Sequence, residues 1–205
     1  MTLCTIKDIR EYMKENNIEN NLDTNHPIKK LGIYKIDKQN DKRWMISMKG
    51  PKYSLYEKGV YKIDILFPDN FPTLKPNIKF FKGPRHIQIN PSSGNIDIYF
   101  LHFWDPTTSI SELLVGIYLF FIFDQNPDSP FDIELCTIYK INRIEFNKTI
   151  EESIIKNCSP TSEDIKLLNR MKNDNFYEKK IELLEEKIKN MQKEIIELKS
   201  KLSGK

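Results

Sequence analysis

Between Trp44 and Phe80, apolar and polar residues alternate in short runs, and no other feature of the chain constrains its fold as strongly. Trp44, Ile46 and Met48 point one way while Ser47 and Lys49 point the other. Tyr61, Ile63, Ile65 and Phe67 alternate with Lys62, Asp64 and Leu66, and Ile78 and Phe80 flank Lys79. Side chains of a strand point to opposite faces in turn, so a period of two with one apolar side describes strands laid on a core. The runs are closed by short turn signals, Lys49-Gly50-Pro51 and Glu57-Lys58-Gly59, which predicts an antiparallel meander. Leu31 and Ile33 are the candidates for its first strand.

Helical patterns lie on either side of the meander. From Thr5 to Asn16, Ile6, Ile9 and Met13 recur at helical spacing, with Lys7, Arg10 and Lys14 on another face. No period governs Phe81 to Thr108, and an irregular stretch of that length inside a compact domain is more often functional than not. It ends at Ser109-x-x-Glu112, a capping box that opens an apolar run from Leu113 to Phe123. As a helix that run would be about 16 Å long, against a hydrocarbon core of about 30 Å. It therefore reads as a core helix rather than a membrane span. Asp124 to Pro127 should stop it, and Asp132 to Lys156 reads as helical again, with Leu135, Ile138, Tyr139 and Phe146 buried. A helix, a sheet and then further helices make an α+β pattern.

Composition narrows the function classes. The 205 residues are 30% charged but carry a formal net charge of only +3, with no basic tract of the kind that marks a nucleic-acid binder. The start of the chain is polar and shows no secretory pattern. Three scattered cysteines indicate a reducing compartment, so a cytoplasmic location is expected, with the nucleus as the alternative. Cys4, Cys136, Cys158, His26, His86 and His102 lack metal-ligand spacing, and no metal or cofactor is expected. Neither is a membrane or nucleic-acid partner.

Six motifs occur in a telling order. They are Trp44 with Gly50-Pro51 and Tyr56-Glu57-x-Gly59-Val60-Tyr61; Phe67-Pro68-x-x-Phe71-Pro72-x-x-x-Pro76; Gly94-x-Ile96; Trp104-x-Pro106; Asn126-Pro127-x-x-Pro130; and Tyr139 with Asn142-Arg143 and Phe146. Together they resemble the signature of the ubiquitin-conjugating enzyme family over roughly a hundred residues. The resemblance implies that family's α+β fold: an N-terminal helix, a four-stranded antiparallel meander, a flap and C-terminal helices. It also implies a catalytic cysteine directly after Gly94-x-Ile96, where this chain has Asp97. The neighbours Ile96 and Ile98 are not nucleophiles, and no cysteine occurs between Cys4 and Cys136. The family passes its modifier from one thioester to another, whereas a carboxylate would have to form an anhydride, which lies uphill and hydrolyses readily. His86-Ile87-Gln88 resembles the family's H-P-N segment, whose asparagine steadies an oxyanion. Gln88 keeps an amide there but has no reaction to assist. It reads instead as a loop residue satisfying backbone groups. Cys136 reads as a small core residue, and Cys158, beside a polar break, as a solvent-exposed thiol. Lys7, Arg10, Lys14 and Pro106 are the candidate binding residues.

The tail differs in kind. Ser159-Pro160 resembles an N-cap followed by proline at the first helical position. Beyond a second start at Asn175, apolar residues fall at Ile181, Leu184, Ile188, Met191, Ile195, Leu198 and Leu202, spaced 3 and 4 apart without a lapse. Isoleucine at most a positions and leucine at most d positions is the arrangement of a parallel two-stranded coiled coil, with a helix folded back on its own domain as the alternative. The expected organisation is thus a conjugating-enzyme-like domain over residues 1–157, a linker with a short helix over 158–174 and a coiled coil over 175–205. The function expected is a non-catalytic variant that binds ubiquitin, a ubiquitin-like modifier or a partner conjugating enzyme or ligase, joined as a homodimer or heterodimer by the coil. The alternatives are a conjugating enzyme with an atypical or degenerate active site, and a related domain outside ubiquitin biology.

Overall fold

The structure is a computed structural model that describes residues 6–15, 31–123 and 125–173. Helix α1 (Ile6–Glu15) turns Ile9 and Met13 into the core and leaves Lys7, Arg10 and Lys14 outside. Strands β1 (Ile33–Asn40), β2 (Arg43–Lys49), β3 (Val60–Leu66) and β4 (Asn77–Lys82) follow. They form one antiparallel sheet in the order β1-β2-β3-β4, the meander expected from the alternation. Register places Ile46 opposite Ile63, and Ile63 opposite Phe80, so the apolar residues share one face.

Helix α2 (Ile110–Phe120) lies within that core, and its start follows the expected capping box. The Ser109 side chain accepts the Glu112 amide, and the Glu112 carboxylate accepts the Ser109 amide. Helix α2 stops at Phe120 although the apolar run continues to Phe123. The chain tightens there into i→i−3 bonds, Phe121 to Tyr118 and Ile122 to Leu119. That turn brings Phe121 against Tyr61, with ring centroids 4.6 Å apart.

The helical stretch expected from Asp132 to Lys156 is two helices, α3 (Ile133–Ile141) and α4 (Arg143–Asn157). Asn142 sits between them in an extended conformation and accepts hydrogen bonds from the Ile144 and Glu145 amides. It thus ends one helix by capping the next. Leu135 and Phe146 are buried as expected, whereas Ile138 and Tyr139 are only half-buried.

Two further expectations are corrected at the end of α4. Cys158 is buried rather than exposed, because its carbonyl accepts the Val60 amide at 2.8 Å and ties this turn to the start of β3. The next helix, over residues 162–173, is capped by Thr161 rather than Ser159. The Asp164 amide donates to Thr161 Oγ1 while the Asp164 carboxylate accepts the Thr161 amide, so the box outcompetes the Ser-Pro pair. Ser47 points outward yet is buried, since the outer face of the sheet is partly covered there. The chain divides into two compact units, Met1–Asp164 and Ile165–Lys205. The seam from Ile181 to Leu202 lies outside the described residues.

Candidate functional site

The flap leaves β4 through Gly83 and Pro84 and is pinned at three buried residues, His86, Ile87 and Gln88. The Ile87 amide donates to Gln125 Oε1 at 2.6 Å, and its carbonyl accepts the Phe131 and Asp132 amides at 2.7 and 2.9 Å. Arg85 adds a bidentate pair to Asp132, with Nε at 2.9 Å and Nη2 at 2.7 Å from the two carboxylate oxygens. Asp132 in turn caps α3 through the Leu135 amide. The flap root and the start of α3 therefore move as one piece.

A hairpin then delivers the position after Gly94-x-Ile96. Asn90 accepts the Gly94 amide through its carbonyl and the Ser92 and Ser93 amides through its side chain. Ile89 bridges to Ile96, and Lys79 to Asn95. Gly94 has φ +73°, and a Cβ there would lie 2.2 Å from the Phe80 carbonyl oxygen, so glycine is required. The Asp97 amide donates to the Gln88 carbonyl at 2.9 Å.

Asp97 sits in a cleft of about 190 Å³ with Lys75, Ile96 and His102 on its walls. Its side chain is 13% exposed. One carboxylate oxygen contacts His102 Nε2 and the other accepts the Ser129 hydroxyl at 3.3 Å. The position is thus a carboxyl group engaged by an imidazole and a hydroxyl. It holds no thiol. Gln88 Oε1 accepts the Asn126 amide at 3.2 Å, so that oxygen serves backbone rather than the cleft. Buried His86 stacks on Phe120 at 4.1 Å, and desolvation pushes its pKa down to about 3.

Neither described cysteine joins the cleft. Cys136 is buried, with its thiol 3.5 Å from the Pro127 carbonyl oxygen, and burial pushes the Cys158 thiol up to about 12. Cys4 and His26 lie outside the described residues. Among the described residues, no group of three or more His, Cys, Asp or Glu side chains could hold a metal ion, and no helix is long and apolar enough to cross a membrane.

The candidate binding residues separate. Lys7 and Lys14 are exposed on α1, and Pro106 is exposed in the turn before α2. Arg10 is committed: its Nε donates to the buried Glu112 carboxylate at 2.6 Å, coupling α1 to the cap of α2. Sequence reasoning missed Ser129 and Gln125 altogether, and it weighed His102 only as a metal ligand. His102 follows Asp97 by five residues, on the 3-10 helix Tyr99–Phe103, a spacing that could have suggested it. Nothing local marks Ser129.

The motif residues surround this cleft as scaffold. Trp104 Nε1 donates to the Pro72 carbonyl at 2.7 Å, which joins the Phe-Pro turn to the Trp-x-Pro turn. A family model described as "Ubiquitin-conjugating enzyme" matches residues 11–154. The chain belongs to the ubiquitin-conjugating enzyme family. Among its relatives, ubiquitin conjugating enzyme E2 B of Dictyostelium discoideum is 34% identical over 113 residues, covering 55% of this chain and 76% of that protein. Probable ubiquitin-conjugating enzyme E2 L460 of Acanthamoeba polyphaga mimivirus is 29% identical over 148 residues, covering 71% and 90%. The solved structure of a Toxoplasma gondii ubiquitin conjugating enzyme E2 domain superposes with a TM-score of 0.58 at 28% identity, covering 64% of this chain and 92% of that one.

Proposed function

We propose that this ubiquitin-conjugating enzyme family member is non-catalytic and works as a binding module for ubiquitin, a ubiquitin-like modifier or a partner conjugating enzyme. The observation that carries the reading is Asp97, a carboxylate held by His102 and Ser129 at the end of the flap. A thioester needs a thiolate, and a thiol whose pKa is raised by burial supplies almost none. Cys158 is such a thiol, and Cys136 is likewise buried. Retained scaffold with altered chemistry fits selection for a surface, and Lys7, Lys14 and Pro106 are exposed for contact.

The reading includes dimerisation through the heptad seam, with Ile188 at a central a position, and action in the cytoplasm or nucleus. Titration of the labelled full-length chain with ubiquitin should give surface-localised shifts in the micromolar to millimolar range. A flat response to ubiquitin and to several ubiquitin-like modifiers would contradict it. Sedimentation should show a dimer that Ile188→Lys converts to folded monomer. A wild-type monomer at tens of micromolar would remove the coil from the account.

A further inference from the structure

A cavity of about 670 Å³ opens between the end of β4, the flap hairpin and the start of α3. It is much larger than the Asp97 cleft and shares no lining residue with it. Ligand pockets commonly measure about 300–1,000 Å³. Three apolar side chains stand in this one largely uncovered: Phe81 at 66% exposure, Phe131 at 43% and Ile133 at 72%. The walls are fixed before anything binds. Arg85 and the Ile87 carbonyl join the flap root to the start of α3, and Asn90 closes the hairpin opposite. A ligand therefore meets preformed apolar surface at little ordering cost.

Charge selects the occupant. Arg85 is the one cation lining the cavity among the described residues, against the carboxylates of Asp132 and Glu134. Asp132, buried at 3% exposure, already matches the guanidinium with its bidentate pair. Glu134 is left over, 77% exposed, with one bond from Arg85 Nη2 at 3.0 Å. Its second oxygen has no partner among the described residues, and a bond so exposed is easily shared. An unmatched carboxylate beside exposed phenyl rings suits a guanidinium, which is flat enough to stack and forks onto two oxygens. An ammonium is more strongly hydrated and offers no fork. We propose that this cavity docks an extended peptide with an aliphatic residue and an arginine two positions apart. That spacing puts both side chains on one side of an extended chain. The arginine pairs with Glu134 and the aliphatic group packs on Phe81, Phe131 and Ile133. The site is separate from the modifier-binding reading, which rests on Asp97, Lys7, Lys14 and Pro106.

The test uses the labelled full-length chain and the blocked peptide Gly-Ser-Leu-Ser-Arg-Ser-Gly, with a second peptide in which citrulline replaces the arginine. The arginine peptide should give saturable amide shifts at Phe81, Ser92, Phe131 and Ile133. Citrulline keeps the shape without the charge and should weaken binding on the order of tenfold. Glu134→Gln should weaken the arginine peptide about as much and leave the citrulline peptide unchanged, because the ion pair is already gone. Glu134→Lys should invert the preference, taking a peptide with glutamate in place of the arginine. Urea unfolding verifies that both variants are folded. An absence of shifts at these residues with millimolar peptide, or an arginine-peptide affinity indifferent to the Glu134 carboxylate, would overturn the proposal.

Discussion

Replacing His86 with phenylalanine should remove a specific pH dependence of folding. The imidazole is 1% exposed, stacked on Phe120 and next to Tyr56, and Nδ1 accepts the Gln88 amide at 3.1 Å. Desolvation lowers its pKa from 6.5 to about 3. Between those values the unfolded chain binds a proton that the folded chain refuses. The His86 contribution is therefore intact above about pH 6.5 and drains away as pH falls toward about 3. Each pH unit in that window costs a little over about 1 kcal/mol, so by pH 4.5 the wild type should have lost roughly 2–3 kcal/mol through this group alone. Phenylalanine keeps the stack but cannot titrate. Its loss of the Gln88 acceptor is a constant offset, which leaves the slope clean. Urea unfolding followed by Trp44 and Trp104 fluorescence at half-unit steps from pH 7 to 4.5 would read the difference. Other groups titrate alike in both proteins, so the gap between the two stabilities should close, or reverse, as pH falls. Parallel curves would refute the reasoning and mean that the folded chain accommodates the imidazolium.

The joint between flap and α3 gives a second prediction: Asp132→Ala leaves Arg85 without its bidentate partner and α3 without its cap, for a loss of about 2–4 kcal/mol in denaturant unfolding. Glu134→Ala should cost well under about 1 kcal/mol, because that carboxylate is 77% exposed. Gly94→Ala should cost about 2–3 kcal/mol in the same assay, since the methyl meets the Phe80 carbonyl and φ is positive. An unshifted midpoint would mean that the hairpin relaxes away from β4.

What could be read from the sequence was what is written locally. Alternation gave β2, β3 and β4, and Ser109-x-x-Glu112 gave the start of α2, because both depend on neighbours within four residues; β1 was marked only by Leu31 and Ile33, of which Leu31 lies before the strand. The break at Asn142 escaped because apolar residues continue on both sides of it, and only the capping geometry reveals the stop. Ser159-Pro160 was a sound local signal, defeated by Asp164, which also serves Tyr34 from 130 residues away. Cys158 turned out buried because it joins the main core at the end of α4, and Ser47 because Asp164 returns the chain to the outer sheet face at Tyr34; no periodicity records either. Asp97 was legible as a missing thiol, but its partner Ser129 lies 32 residues on, in another turn.

The central claim, an intact scaffold without thioester chemistry, is tested most directly by one reaction. The full-length chain is incubated with activating enzyme, ATP and ubiquitin, quenched, and run on a gel without reductant. The account predicts no adduct that thiol treatment removes, because Asp97 cannot hold a thioester and Cys136 and Cys158 are buried. A reducible adduct mapped to any cysteine of this chain would contradict it and return the protein to the active members of its family.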